Sequence, residues 1–156
     1  MNDSAPQPHY CSTAAYDLFA QQVQDLEAEG ALLRAAIAIA MHEMPELEYQ
    51  VIEDQITEIS NEILSRVHSD NPRALVSHAH QVLFEEQGFQ GNQENYYDPG
   101  NSYISQVLAT RRGIPITLAL VYKEVLERIG MSVTGISTVF RRLVSIRPMA
   151  PVLLLL

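Results

Sequence analysis

Ile52, Ile56, Ile59 and Ile63 recur at steps of four, three and four, and Val67 continues the series. Side chains at that spacing line one face of an α-helix, whereas a strand would split them between its two faces. So regular an apolar stripe has to be covered by other elements, and the chain is expected to build a helical body around it. Glu53, Asp54, Glu58 and Glu62 occupy the other positions and read as a solvated face.

The neighbouring segments are helical too. Residues 1–13 are polar and proline-bearing, a flexible leader. Ala14 to Glu29 carries Leu18, Val23 and Leu26 at helical spacing, with Gly30 as a stop. Ala31 to Met44 is rich in alanine and isoleucine and nearly free of charge, which predicts a helix buried on most sides and ended by Pro45. Asn71-Pro72 reads as an N-cap and a first-turn proline. That helix bears Leu75, Ala79, Val82 and Leu83 and closes at Gly88. Residues 90–101 form a polar loop around the turn Asp98-Pro99-Gly100. A short helix follows from about Ser102 to Thr110, broken by Arg111-Arg112-Gly113. Pro115 opens another, with Leu118, Tyr122, Val125 and Ile129 as its stripe and Glu124 and Arg128 four apart on its outer side. Met131 to Ser137 and Leu143 to Ile146 read as strands. The expectation is a mainly α-helical chain with a short two-stranded β element near the C-terminus.

Composition narrows the partners. Ten basic residues stand against nineteen acidic ones, a net charge of −9, so neither nucleic acid nor an anionic membrane is an expected partner. Cys11 is the single cysteine, so the chain can form neither an intrachain disulfide nor a thiolate zinc cage. The N-terminus lacks the basic and apolar regions of a signal peptide. No run approaches the roughly 20 apolar residues of a membrane span. A cytoplasmic location follows as the expectation.

Most candidate chemistry fails on spacing. His42-Glu43 resembles half of a zinc-protease motif, but the second histidine is missing, because position 46 is Glu46. His78 and His80 point about 200° apart on a helix and cannot share a metal. Gly88-Phe89-Gln90-Gly91 has no lysine after it and is no phosphate loop. Cys11 lies in the leader, with no helix start or basic neighbour to activate it. No catalytic residue, cofactor or metal ligand is assigned. The richest segment is the loop with Asn92, Tyr96, Tyr97, Asp98 and Asn101, followed by Arg111 and Arg112. Such stacking and hydrogen-bonding side chains form a binding surface, or they hold the loop together with Asp98 and Asn101 capping backbone amides.

These residues carry a family likeness. Leu83-Phe84-Glu85-Glu86-Gln87-Gly88-Phe89-Gln90-Gly91-Asn92, then Tyr96-Tyr97-Asp98-Pro99 and Asn101-Ser102-Tyr103, resemble the bacterial SirB-type (YchA-like) proteins. Arg111-Arg112-Gly113-Ile114-Pro115-Ile116-Thr117-Leu118 and Glu124-Val125-Leu126-Glu127-Arg128-Ile129-Gly130 continue the match. The resemblance implies a transglutaminase-like, papain-like α+β architecture. Active members of that superfamily place a cysteine at the start of the core helix, where the helix N-terminus favours the thiolate, and pair it with a histidine on a following strand. By resemblance the cysteine position falls at about Pro115, with Thr117 the nearest hydroxyl. The family histidine, in a Phe-Pro-Gly-His-Phe segment, falls on Arg141, which cannot act as a base near neutral pH.

The departure after about residue 137 suggests a truncated or frame-disturbed chain, testable by translating the other frames of the underlying DNA. On this reading residues 14–147 form an incomplete domain and residues 148–156 an atypical tail. Apolar surface near residues 131–156 would be exposed and invite self-association. The implied function is a non-catalytic module that binds another protein. The alternative is a cysteine-hydrolase-like enzyme, for amide or ester chemistry, active only in a full-length form. A chain with no function left, a gene remnant, is a third reading, marked by poor soluble expression.

Overall fold

The computed structural model describes residues 10–69, 71–134 and 145–148. Among them are six α-helices: α1 (Thr13–Gln22), α2 (Ala31–Glu43), α3 (Tyr49–Arg66), α4 (Pro72–His80), α5 (Ile104–Thr110) and α6 (Pro115–Arg128). A π-helical turn, Gln81–Glu86, prolongs α4, and a 3-10 turn, Pro99–Ser102, precedes α5. Strand β1 (Gln90–Gly91) lies parallel to β2 (Arg112–Gly113). Strand β3 (Met131–Thr134) pairs antiparallel with β4 (Ser145–Pro148), Met131 opposite Pro148 and Thr134 opposite Ser145. The chain is mainly helical with a small two-stranded element, as its periodicity predicts.

The isoleucine stripe is the inner wall. Ile52, Ile56, Ile59 and Ile63 are all buried, and Val67 packs partly buried beside them. Each such side chain contributes roughly 2–3 kcal/mol through the apolar surface it removes from water. Helix α3 packs against α2, α4, α5 and α6. Helix α2 buries Ala31, Leu33, Ala35, Ile37, Ala38 and Ala40, so its uncharged sequence does reflect burial on most sides.

Several expectations are corrected. The first helix ends at Gln22 rather than Glu29. Asp25 Oδ1 accepts from the amides of Glu27 and Ala28, each at 3.2 Å, and this local turn outcompetes further helix. Gly30, with φ of 69°, is the N-cap of α2 and not the stop of α1. Cys11 directly precedes Ser12, the N-cap of α1, so it does stand at a helix start. Glu53 is not on a solvated face: it is paired with Arg128 across the α3–α6 contact. Glu124 is buried rather than outward, because α6 is central and also buries Thr117, Leu118, Leu120, Val121, Val125 and Leu126.

Met131 and Val133 of β3 are buried. Residues 135–144 of the apolar stretch expected to be exposed, Arg141 among them, most of the leader and the tail from residue 149 lie outside the described residues. Among the described residues no helix is long and apolar enough to cross a membrane.

Candidate functional site

The polar loop is closed at its base by β1 and β2. The amide of Gln90 donates to the Arg111 carbonyl at 3.0 Å, and that of Asn92 to the Gly113 carbonyl at 3.2 Å. Within the loop three asparagines interlock. Asn101 Nδ2 donates to the carbonyls of Asn95 at 2.7 Å and Tyr96 at 3.1 Å. Its Oδ1 accepts from Asn92 Nδ2 at 2.9 Å, and Asn92 Oδ1 accepts from the Asn95 amide at 3.1 Å. The Asn101 side chain thus has both donors and its acceptor engaged, and the residue is only 3% exposed. Its own carbonyl accepts from the Ile114 amide at 3.2 Å and from Thr117 Oγ1 at 2.8 Å, which hooks the loop onto the first turn of α6.

The seven residues singled out in the sequence divide into two groups. Asn92, Asn101 and Arg111 face inward and hold the segment. Arg111 adopts the left-handed conformation at φ of 60°, lays its guanidinium over Phe89 at 4.7 Å and donates to the Leu108 carbonyl. Partial burial lowers its pKa from the ordinary arginine value. Tyr96, Tyr97, Asp98 and Arg112 are exposed. The two tyrosine rings meet edge to face with centroids 5.2 Å apart. Asp98 caps the 3-10 turn through the Gly100 amide at 2.8 Å. Asp98 therefore both supports the loop with its side chain and faces solvent. The capping reading holds for Asp98, whereas Asn101 satisfies carbonyls rather than amides.

At the start of α6, Pro115 and Ile116 are exposed while Gly113 and Thr117 are buried. Pro115 is its first residue, with no backbone donor and no nucleophile. The single hydroxyl proton of Thr117 lies between the Asn101 carbonyl and the Ile114 carbonyl, the latter 3.0 Å away, and among the described residues these are its hydrogen-bond partners. Gly113 is tightly packed: a Cβ there would come within 2.8 Å of Thr117 Oγ1 and 3.0 Å of Val107. The glycine lets β2 and α6 meet, and an alanine would force them apart.

A second site was missed in the sequence. Glu29, Gly30, Arg34, Glu53, Glu124, Glu127 and Arg128 line a cleft of about 320 Å³. Its signal is the nearly unbroken apolar run Ile116 to Tyr122, since a helix apolar on most sides buries whatever charge follows on it. Burial pushes the Glu124 carboxyl above its ordinary value, opposed by the positive charge of Lys123. In the unfolded chain the group ionises at its ordinary value. Its contribution to stability is therefore full below that value and is lost as pH rises through the higher folded value. Melting curves of the natural chain and of Glu124→Gln should diverge accordingly, the natural chain losing ground as pH rises above the ordinary carboxylate range. A difference that stays constant with pH would show that Glu124 does not titrate in this way.

The architecture is that of a domain in which one central helix starts beneath a structured polar loop. The sequence pattern of the Transglutaminase-like superfamily matches residues 50–152, from α3 onward and including the whole loop. The chain belongs to the transglutaminase-like superfamily. It is similar to the "UPF0162 protein" of Xylella fastidiosa (strain 9a5c), 34% identical over 107 residues, which are 68% of this chain and 38% of that protein. The "UPF0162 protein" of Vibrio cholerae is 29% identical over 107 residues, 68% of this chain and 40% of its own. Human "F-box only protein 21" is 40% identical over 50 residues, 32% of this chain and 8% of its own. The chain thus spans about two fifths of the length of these bacterial relatives. No solved structure matches it.

Proposed function

We propose that the chain is a non-catalytic, SirB-type module of the superfamily that binds another protein through Tyr96, Tyr97, Asp98 and Arg112. The observation that carries this reading is Tyr97, which is 92% exposed on a loop whose backbone the three asparagines hold. A large aromatic ring in water contributes nothing to folding, yet on an already ordered loop it can dock with little further loss of entropy. Tyr96, 59% exposed, extends the surface, and Asp98 and Arg112 add a charge of each sign beside the rings. Pro115 and the occupied hydroxyl of Thr117 support the absence of catalysis at the helix start.

Alanine at both Tyr97 and Asp98 is expected to lower capture of a protein partner from a cell extract at least tenfold. Helical circular dichroism should stay unchanged, and loss of the Asp98 cap should cost only about 1 kcal/mol. Undiminished capture by the double variant overturns the assignment, and a melted fold would make the two residues structural.

The greater length of the relatives favours one second reading, an enzyme whose machinery is complete only in a longer chain. Thiol- and hydroxyl-directed activity probes distinguish the two. Selective, fold-dependent modification of Thr117 would favour the enzyme.

A further inference from the structure

Tyr96 and Tyr97 are the large apolar side chains that residues 90–103 expose, and their surroundings are not apolar. Apart from Gly91 and Pro99, the other exposed residues of that segment are polar or acidic. An aliphatic side chain of a partner would find no apolar floor there. Open aromatic faces offer something else, the negative side of their quadrupole, which attracts a cation. The two ring planes stand at 90°, so the pair presents a corner, with faces turned in two directions.

The charges around the corner point the same way. Between Arg73 and Arg111 the chain has no lysine or arginine, whereas Glu85, Glu86, Glu94 and Asp98 fall in that span. Glu86 is paired with Arg66 at 2.7 Å. Glu94 and Asp98, the carboxylates of the loop, are in no ion pair among the described residues. Asp98 Oδ1 accepts from the Gly100 amide, and Oδ2 has no hydrogen-bond partner among the described residues. Arg111 is engaged inward, over Phe89 and on the Leu108 carbonyl. Arg112 is exposed at the base of the loop, opposite Gln90. The outward side of the loop therefore sets Glu94 and Asp98 against Arg112 alone, on a chain whose net charge is −9.

We infer that the tyrosine corner docks an arginine of the partner protein, its guanidinium laid on the ring of Tyr97 and its fork turned to Asp98. This rests on the docking surface proposed above and names the chemistry of what docks there. Arginine fits better than lysine, because a planar guanidinium stacks on a ring and donates along its edge at the same time, whereas an ammonium is a strongly hydrated point charge. Ring and carboxylate come from adjacent residues on a loop that the asparagines already hold, so little further entropy is lost when the guanidinium settles. An acidic partner would meet the loop's own carboxylates and is disfavoured.

The probe is the peptide acetyl-Gly-Arg-Gly-amide, titrated into the full 156-residue chain and followed through the ring resonances of Tyr96 and Tyr97. Its citrulline counterpart has nearly the same shape without the charge. The arginine peptide should shift both rings saturably, and the citrulline peptide should bind about fivefold more weakly. Sodium chloride should weaken the first and leave the second unchanged. Tyr97→Leu keeps apolar bulk without a ring and should weaken the arginine peptide about fivefold. Asp98→Asn keeps an oxygen for the Gly100 amide and should weaken it about threefold, with circular dichroism and melting those of the natural chain. Equal binding of the two peptides, equal binding by either variant, or unshifted tyrosine rings in a folded chain overturns the inference. Capture from cell extract separates this failure from that of the docking reading. Capture that still depends on Tyr97 and Asp98 when the peptide fails leaves the docking reading standing and removes the arginine. Undiminished capture by the double alanine variant overturns the docking reading and this inference with it.

Discussion

Replacing Ile56 by alanine is expected to destabilise the chain by about 4 kcal/mol, near the upper end for a buried isoleucine, and to lower its melting temperature by about 12 °C. Ile56 is fully buried in the middle of the stripe, on a helix that packs against four others, so the cavity is not expected to collapse. Leu64, on the same helix but substantially exposed, is the internal control and should cost less than about 1 kcal/mol. A small shift for Ile56→Ala would mean that the neighbouring helices relax into the space, and α3 would lose its place as the inner wall.

That wall was legible because its signal is redundant. Four isoleucines at one period outvote any single residue, and the Asn71–Pro72 start and the Pro115 start each follow from backbone chemistry that tertiary contacts do not override. Where reading failed, one local interaction or one distant neighbour decided the outcome. The Asp25 side chain ended α1 by bonding two nearby amides, a choice invisible to apolar spacing. Glu53 and Glu124 looked solvated because acidic residues four apart from arginine or beside a stripe usually are. Their true surroundings depend on a contact between residues 75 positions apart in the chain. Strands β1 and β2, two residues each, are too short to carry any period at all.

The loop was legible as a place and not as a mechanism. Its mixture of asparagines, tyrosines and arginines marked the segment, but composition could not say which side chains turn inward. The structure divides them by hydrogen-bonding capacity. Asn92 and Asn101 have both a donor and an acceptor to offer and can satisfy loop backbone internally, whereas a tyrosine ring large enough to dock cannot fit beneath so small a loop.

Asn101→Ala tests that division. It should remove three hydrogen bonds at once, leaving the Asn95 and Tyr96 carbonyls and the Asn92 amide group without their partner. Roughly 1 kcal/mol for each gives about 3 kcal/mol, or a fall of about 9 °C in melting temperature. Asn101→Asp should be worse at neutral pH despite its matching shape, because it sets an anionic oxygen where Nδ2 now stands 2.7 Å from the Asn95 carbonyl. Acidification protonates that carboxyl, restores one donor and should recover part of the loss, a signature that a mere cavity would not give. Both variants should also weaken partner capture, though Asn101 is buried and touches no partner, because Tyr96 is held through its backbone carbonyl. Tyr97→Ala alone should do the reverse, leaving melting within about 1 °C while capture falls. If Asn101→Ala melts like the natural chain, the loop owes its shape to the β1–β2 pairing alone, and the tyrosines are not presented by the asparagines.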